Sequence, residues 1–209
     1  MIFPFLKLVG AAAFILVIWS SGCTPITSEG AREDEAGNHQ AAYQLFHQAA
    51  ESGDPWGQVL LSDLLAEGRP GIPRNDAQAL YWLRRAAEQD YSDAQYRLGV
   101  AYTSGGYGVK KDPIEAIRWY KKAAKRKNRY AQGLLGIAIL NYNREVRLGK
   151  RRHHPEADPI EGLVWAEVAV ANGVQDAATP IPGYMKMLSK KQKTAARQLA
   201  VEYRAKYSR

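Results

Sequence analysis

Apolar residues return every three to four positions through most of this chain, and short polar or glycine-rich stretches separate the apolar runs. Across 92–104, Ala94, Leu98, Ala101 and Tyr102 share one face, which predicts an amphipathic helix. Gly105-Gly106 ends it, because glycine accepts the left-handed backbone that closes helices. Asp112 then supplies an N-cap, and Pro113 takes the first helical position, where a missing N–H costs nothing. In this second helix Ala116, Trp119, Tyr120 and Ala123 form the inward face. Its alanines let neighbouring helices approach, and the tryptophan is expected to fill the space between hairpins.

This unit repeats. Ala79, Trp82, Ala86 and Ala87 return 37 residues later as Ala116, Trp119, Ala123 and Ala124, and Gly68 and Gly71 return as Gly105 and Gly108. Two full repeats follow, over about 55–91 and 92–128. In a third, Asp158-Pro159-Ile160-Glu161 duplicates Asp112-Pro113-Ile114-Glu115, with Trp165 and Ala169 behind it. The offset has grown to 46, so nine residues are inserted. They are expected in the turn between the two helices, within Asn143 to Ala157, where a solenoid accepts insertions at low cost. Ahead of the first repeat, Ala42, Leu45, Ala49 and Ala50 form a half-repeat in which leucine replaces tryptophan. Past the third, Thr179-Pro180 opens a short helix to about Leu188. Ser189 and Gln192 then form a capping box for a final helix with Leu199, Tyr203 and Tyr207 on its inner stripe. The pattern predicts an all-α fold: an α-solenoid of helix-turn-helix hairpins, about 3.5 repeats plus a C-terminal capping helix, over 39–209.

Residues 1–22 form a different region. Leu8 to Trp19 is an unbroken apolar run of 12 residues behind Lys7, suited to a secretory signal and short of the roughly 20 residues a membrane span needs. Ser20-Ser21-Gly22-Cys23 resembles a bacterial lipobox, in which the cysteine is diacylated and becomes the new N-terminus. Ser20 stands where that motif usually has leucine. An ordinary cleaved signal and an uncleaved anchor with a snorkelling Lys7 are the alternatives. Thr24 after the cysteine, rather than aspartate, resembles sorting to the outer membrane. Cys23 is the sole cysteine, so no intrachain disulfide exists and packing alone holds the fold. Residues 23–38 are polar, with Pro25, Gly30 and Gly37 among Glu29, Glu33, Asp34 and Glu35, and are expected to be a flexible tether.

Ala94, Leu98-Gly99, Tyr102, Gly105, Gly108-Val109, Asp112, Ala116, Trp119-Tyr120 and Ala123-Ala124 together resemble the Sel1-like repeat, a relative of the tetratricopeptide repeat. The resemblance covers about Gln40 to Asp176. Ser62 and Asn75 depart from it in the first copy, and the third copy has lost its glycines. It implies a right-handed α-solenoid that scaffolds protein complexes. Bacterial relatives often work in the envelope, some in polysaccharide-export or secretion assemblies. The implied partner is another envelope protein, and the implied location is the outer membrane facing the periplasm, lipid-anchored, or else the soluble periplasm.

Charge sharpens this picture. The chain carries a net +8, and Lys110 to Arg152 holds 14 Lys and Arg against Asp112, Glu115 and Glu145. The basic residues divide between one helix (Lys121, Lys122, Lys125, Arg126, Lys127) and the insertion (Arg144, Arg147, Lys150, Arg151, Arg152). In an exported protein such a surface suits an anionic glycan, a lipid headgroup or an acidic protein rather than nucleic acid. A solvated face is the plain alternative. Protein partners are expected on the wall made by first helices, at Asp63, at Tyr96, Arg97 and Val100, and at Gly133, Leu134 and Ile137. Packing against the next hairpin is the alternative there. No nucleophile elbow or phosphate-binding glycine loop occurs, and His153-His154 lacks the carboxylates or cysteines a metal site requires. A non-enzymatic protein without cofactor is expected.

Overall fold

Side-chain caps set where the helices begin. In the computed structural model, which describes residues 24–208, Asp112 accepts the N–H groups of Ile114 and Glu115, and Asp158 that of Ile160. Asn75, which replaces aspartate in the first copy, accepts from Gln78 instead. The expected signal peptide and Cys23 lie outside the described residues. Ten α-helices occur among those residues, in two compact units that divide at Gln89 and Asp90. The first unit holds α1 (Pro25–Glu35), α2 (His39–Glu51), α3 (Pro55–Glu67) and α4 (Asp76–Glu88). The second holds α5 (Ser92–Ser104), α6 (Pro113–Lys125), α7 (Arg129–Arg147), α8 (Pro159–Ala171), α9 (Ile181–Met187) and α10 (Lys190–Tyr207). The fold is the all-α solenoid class that the repeats predict.

The first unit corrects the expected tether. Residues 25–35 are helical: the Thr24 side chain accepts the Thr27 N–H, and Pro25 sits in the first turn. Thr27 and Gly30 are buried, and a Cβ at Gly30 would lie 2.6 Å from Phe46 Cε1. Thr24 Oγ1 also donates to Asp54 Oδ2 at 3.1 Å. This helix closes on α2 through small residues, so it needs no hydrophobic stripe, and its acidic surface disguised it as linker.

The tryptophan register also needs correction. The fully buried position is the residue after it: Phe46, Leu83, Tyr120 and Ala166 occupy equivalent places and all lie in the core. Trp82 and Trp119 are only partly buried, whereas Trp165 is fully buried. The Tyr120 ring sits against Gly99, where an added Cβ would be 2.4 Å from its carbons. At the equivalent Gly136 the added atom would be 2.8 Å from the Ala166 backbone nitrogen. In the first copy the facing residue is Leu83, and Ser62 fits, its hydroxyl donating to the Ala79 carbonyl at 2.8 Å.

The inserted residues do not all form a turn. The helix α7 has 19 residues against 13 in α5, so six of the nine extend the helix and three lengthen the connection. Buried Asn143 fixes the junction, its amide donating to the carbonyls of Ile139 and Ala157 at 2.9 and 2.6 Å. The chain then closes as expected, with the Ser189–Gln192 capping box formed. Along α10, Ala196 and Ala200 are buried, and Tyr203 and Tyr207 pack on Trp165 with ring centroids 5.1 and 5.0 Å away.

This geometry reverses the stability ranking that the repeat signature suggests. Tyr120→Ala should cost about 3–5 kcal/mol, as for other buried aromatics, and Trp119→Ala about 1–2 kcal/mol. Urea denaturation of both variants checks it; an equal or larger loss at Trp119 would contradict the assignment.

Candidate interaction site

The expected first-helix wall is partly assembled in the second unit. On α5 and α7, Tyr96, Val100, Leu134 and Ala138 are partly buried and pack against the core. Tyr96 touches Tyr120 on one side and Tyr130 on the other, at centroid distances of 6.4 and 6.3 Å. Ile137 is likewise partly exposed. Arg97 is held along its own helix by Asp93 at 2.6 Å. Gly133 does not belong to the wall: it is buried, and a Cβ there would lie 3.0 Å from Val174 Cγ1. Asp63 belongs to the first unit, where it is partly buried.

Sequence reasoning missed Tyr130. It is 53% exposed, Arg129 lies 4.8 Å from its ring centroid, and Arg129 Nη2 donates to its hydroxyl at 2.8 Å. The available signal was its repeat position: the equivalent residues in the earlier copies are Trp56 and Asp93, so the repeat does not fix the residue type there and Tyr130 stands apart from the shared core pattern.

Buried glutamines were missed as well. Gln58, Gln95 and Gln132 recur at the 37-residue period and are all buried. Gln58 Nε2 donates to the Ala50 carbonyl, and Gln132 Nε2 to those of Ala124 and Tyr207. Asn172 donates to Gln132 Oε1 at 2.7 Å, so one amide pair ties α7, α8 and the end of α10 together. A buried polar group is retained where its hydrogen bonds are made: Gln58 and Gln132 stitch neighbouring helices together, and Gln95 Nε2 donates to Asp90 Oδ1 at 3.1 Å.

The basic surface divides into paired and unpaired charge. Lys121 leaves the expected surface set: its ammonium lies 2.9 Å from Glu161 and 3.1 Å from Glu156. Burial opposes its charge, yet the hydrogen bonds and fields of Glu161 and Glu156 outweigh that and raise its pKa. The Lys121 hydrogen bond in turn lowers the Glu156 pKa. Arg151 is paired with Glu145 and lies 5.5 Å from the Tyr142 ring centroid. Arg147 reaches Met187 and lies 5.8 Å from the Tyr184 ring centroid. Lys125, Arg144, Lys150 and Arg152 are exposed, as is Lys122. His154 Nδ1 accepts the Glu156 N–H at 3.2 Å and so caps the short 3-10 helix Pro155–Ala157. No group of three His, Cys, Asp or Glu able to hold a metal occurs among the described residues.

Known proteins share this organisation. A profile of the Sel1 repeat matches residues 30–54, 57–91 and 92–128, beginning inside α1 and stopping before the interrupted third copy. A solved Sel1 repeat protein from Oxalobacter formigenes is 32% identical with a TM-score of 0.52, over 66% of this chain and 95% of that one. A protective antigen of uropathogenic Escherichia coli strains, displaying an SLR fold, is 26% identical with a TM-score of 0.51, over 81% of this chain and 42% of that one. An F-box protein of Arabidopsis thaliana is 35% identical over 66 residues. Those residues are 32% of this chain and 18% of that protein, so the chain spans under a fifth of the F-box protein and under half of the antigen.

The Lys121 network makes a pH prediction. Glu156 has a lowered folded pKa, so its contribution is present above the ordinary value near ~4.3 and is lost as pH falls through the folded value. Lys121 has a raised folded pKa, so its contribution is full below ~10.4 and is lost as pH rises through the folded value. Urea midpoints against pH should therefore show both limbs, and Lys121→Met should flatten them. Limbs of unchanged depth in that variant would show that the network does not stabilise the fold.

Proposed function

The chain belongs to the Sel1 repeat family, and on that footing we propose that it is a protein–protein interaction scaffold of the bacterial cell envelope. Sel1 repeat proteins are typically non-catalytic scaffolds, and protein partners follow from the family. The finer reading is a lipoprotein acylated at Cys23, held at the outer membrane and facing the periplasm, within a secretion or polysaccharide-export assembly. Acyl chains would anchor it firmly, since each buried CH₂ contributes about 0.8 kcal/mol.

The carrying observation is the aromatic wall of the first helices. Tyr130 is more than half exposed beside Tyr96, with Val100 and Leu134 partly exposed along the same two helices. Tyrosine gives a large contact area with few rotatable bonds and a polar tip, properties that favour a protein interface. A second reading rests on Arg144, Lys150 and Arg152, which are exposed and have no carboxylate partner among the described residues. Those cations suit an anionic glycan or lipid headgroup.

Cross-linking and capture from membranes of the native host tests the scaffold. Wild type should recover a defined protein, and Tyr130→Ser should reduce that recovery at least tenfold while leaving the thermal melt unchanged. A wild-type protein that captures nothing and turns over a substrate overturns the proposal. Labelling with radioactive palmitate should mark wild type and not Cys23→Ala, which should leave the membrane fraction. If glycan binding survives neutralisation of Arg144, Lys150 and Arg152 and is insensitive to salt, the second reading fails.

A further inference from the structure

Two equivalent helices of the second unit treat the same tryptophan in opposite ways. On α8, Trp165 is fully buried beneath Tyr203 and Tyr207, which stand one helical turn apart on α10. Val164 and Val168 flank it and are also buried. On α6, Trp119 is partly exposed, and the flanking positions are Arg118 and Lys122, with Lys125 where α8 has Ala171. The α8 surface takes a helix of the same chain; the α6 surface is a cleft of about 320 Å³ lined by Glu115, Arg118, Trp119, Lys122, Lys125 and Glu156, with Lys121 also on its wall.

The charges around this cleft are unevenly committed. Glu115 is paired with Arg118, and Glu156 with Lys121. The Lys122 ammonium lies 4.1 Å from the Trp119 ring centroid, and neither Lys122 nor Lys125 has a carboxylate partner among the described residues. What remains is an aromatic floor with a cationic rim. A helix resembling α10 would not suit it, because α10 carries Lys193, Arg197, Arg204 and Lys206, and like charges repel.

We propose that the Trp119 cleft of α6 docks an amphipathic helix of a partner protein, with aromatic residues at i and i+4 on Trp119 and carboxylates facing Lys122 and Lys125. The α10–Trp165 contact supplies the helical and aromatic part of that specification, and charge complementarity supplies the acidic part. The proposal rests on the reading that the chain binds proteins, but it places this contact on a second helix rather than on the Tyr96–Tyr130 wall.

Fluorescence anisotropy with the full chain tests it, using a labelled peptide that copies residues 190–207 with each Lys and Arg replaced by Glu. Wild type should bind this probe, more weakly as salt rises. Lys122→Glu should weaken binding at least tenfold without altering the melt. Trp119→Ala should weaken it as much while lowering the melt only modestly and leaving the chain folded at the assay temperature, and Trp119→Phe should restore part of the binding. A peptide with both tyrosines changed to alanine, and one with the original lysines and arginines, should each bind at least tenfold more weakly. Failure of the acidic peptide to bind overturns the proposal, as does equal binding of the tyrosine-free version. If a sulfated oligosaccharide binds more tightly and responds to the same variants, the cleft is a glycan site and the proposal is wrong. Tyr130→Ser should leave peptide binding intact, so loss of partner capture at the wall and loss of the cleft are separate results.

Discussion

The close approach of the two helices of a hairpin governs everything around it. At Gly99 the neighbouring helix brings the Tyr120 ring where a Cβ would stand, 2.4 Å from its carbons. Glycine there loses helix propensity but admits a large aromatic into the core, and the packing gained exceeds the roughly 1 kcal/mol that glycine costs. The same approach encloses the Tyr120 hydroxyl, which meets Thr103 Oγ1 at 3.1 Å. Burial pushes its pKa up to about 12, so the ring stays neutral through ordinary pH. Where the facing residue is smaller, the constraint changes form: Leu83 leaves room for Ser62, and Ala166 brings backbone rather than ring against Gly136.

That constraint explains the displaced tryptophans. Successive residues on a helix differ by about 100°, so once the residue after tryptophan points into the core, the tryptophan lies at its margin. Whether it is then buried depends on what covers the margin. Tyr203 and Tyr207 cover Trp165, whereas Lys122 lies over Trp119. A repeat signature marks equivalent positions, and equivalence of position does not guarantee equivalence of burial.

The hairpins were legible in the sequence because their signals are local: an aspartate cap before proline, a glycine after the last apolar residue, a 37-residue period. Signals that depend on a neighbour were not. Helix α1 buries only Thr27 and Gly30 and leaves Glu29 and Glu35 exposed, a pattern that also describes a linker until Phe46 is set beside it. The insertion hid six helical residues because Tyr142 to Arg147 contains no apolar residues beyond Tyr142 and Val146. Gln58, Gln95 and Gln132 were periodic in plain view, but a polar residue reads as surface unless its buried hydrogen bonds are known.

The basic segment shows why a count of charges is a weak guide to a site. Lys121 and Lys122 are adjacent in sequence, yet about 100° of helical rotation separates a lysine locked between Glu156 and Glu161 from one lying over an indole. The first holds the 3-10 turn and α8 to α6 and is unavailable to a ligand. The second raises the local potential beside an aromatic surface that no helix of the second unit covers as α10 covers Trp165. Recognition therefore depends less on the excess of positive charge than on which cations the fold has left without a carboxylate. Two of those cations, Lys122 and Lys125, lie where α8 carries Val168 and Ala171.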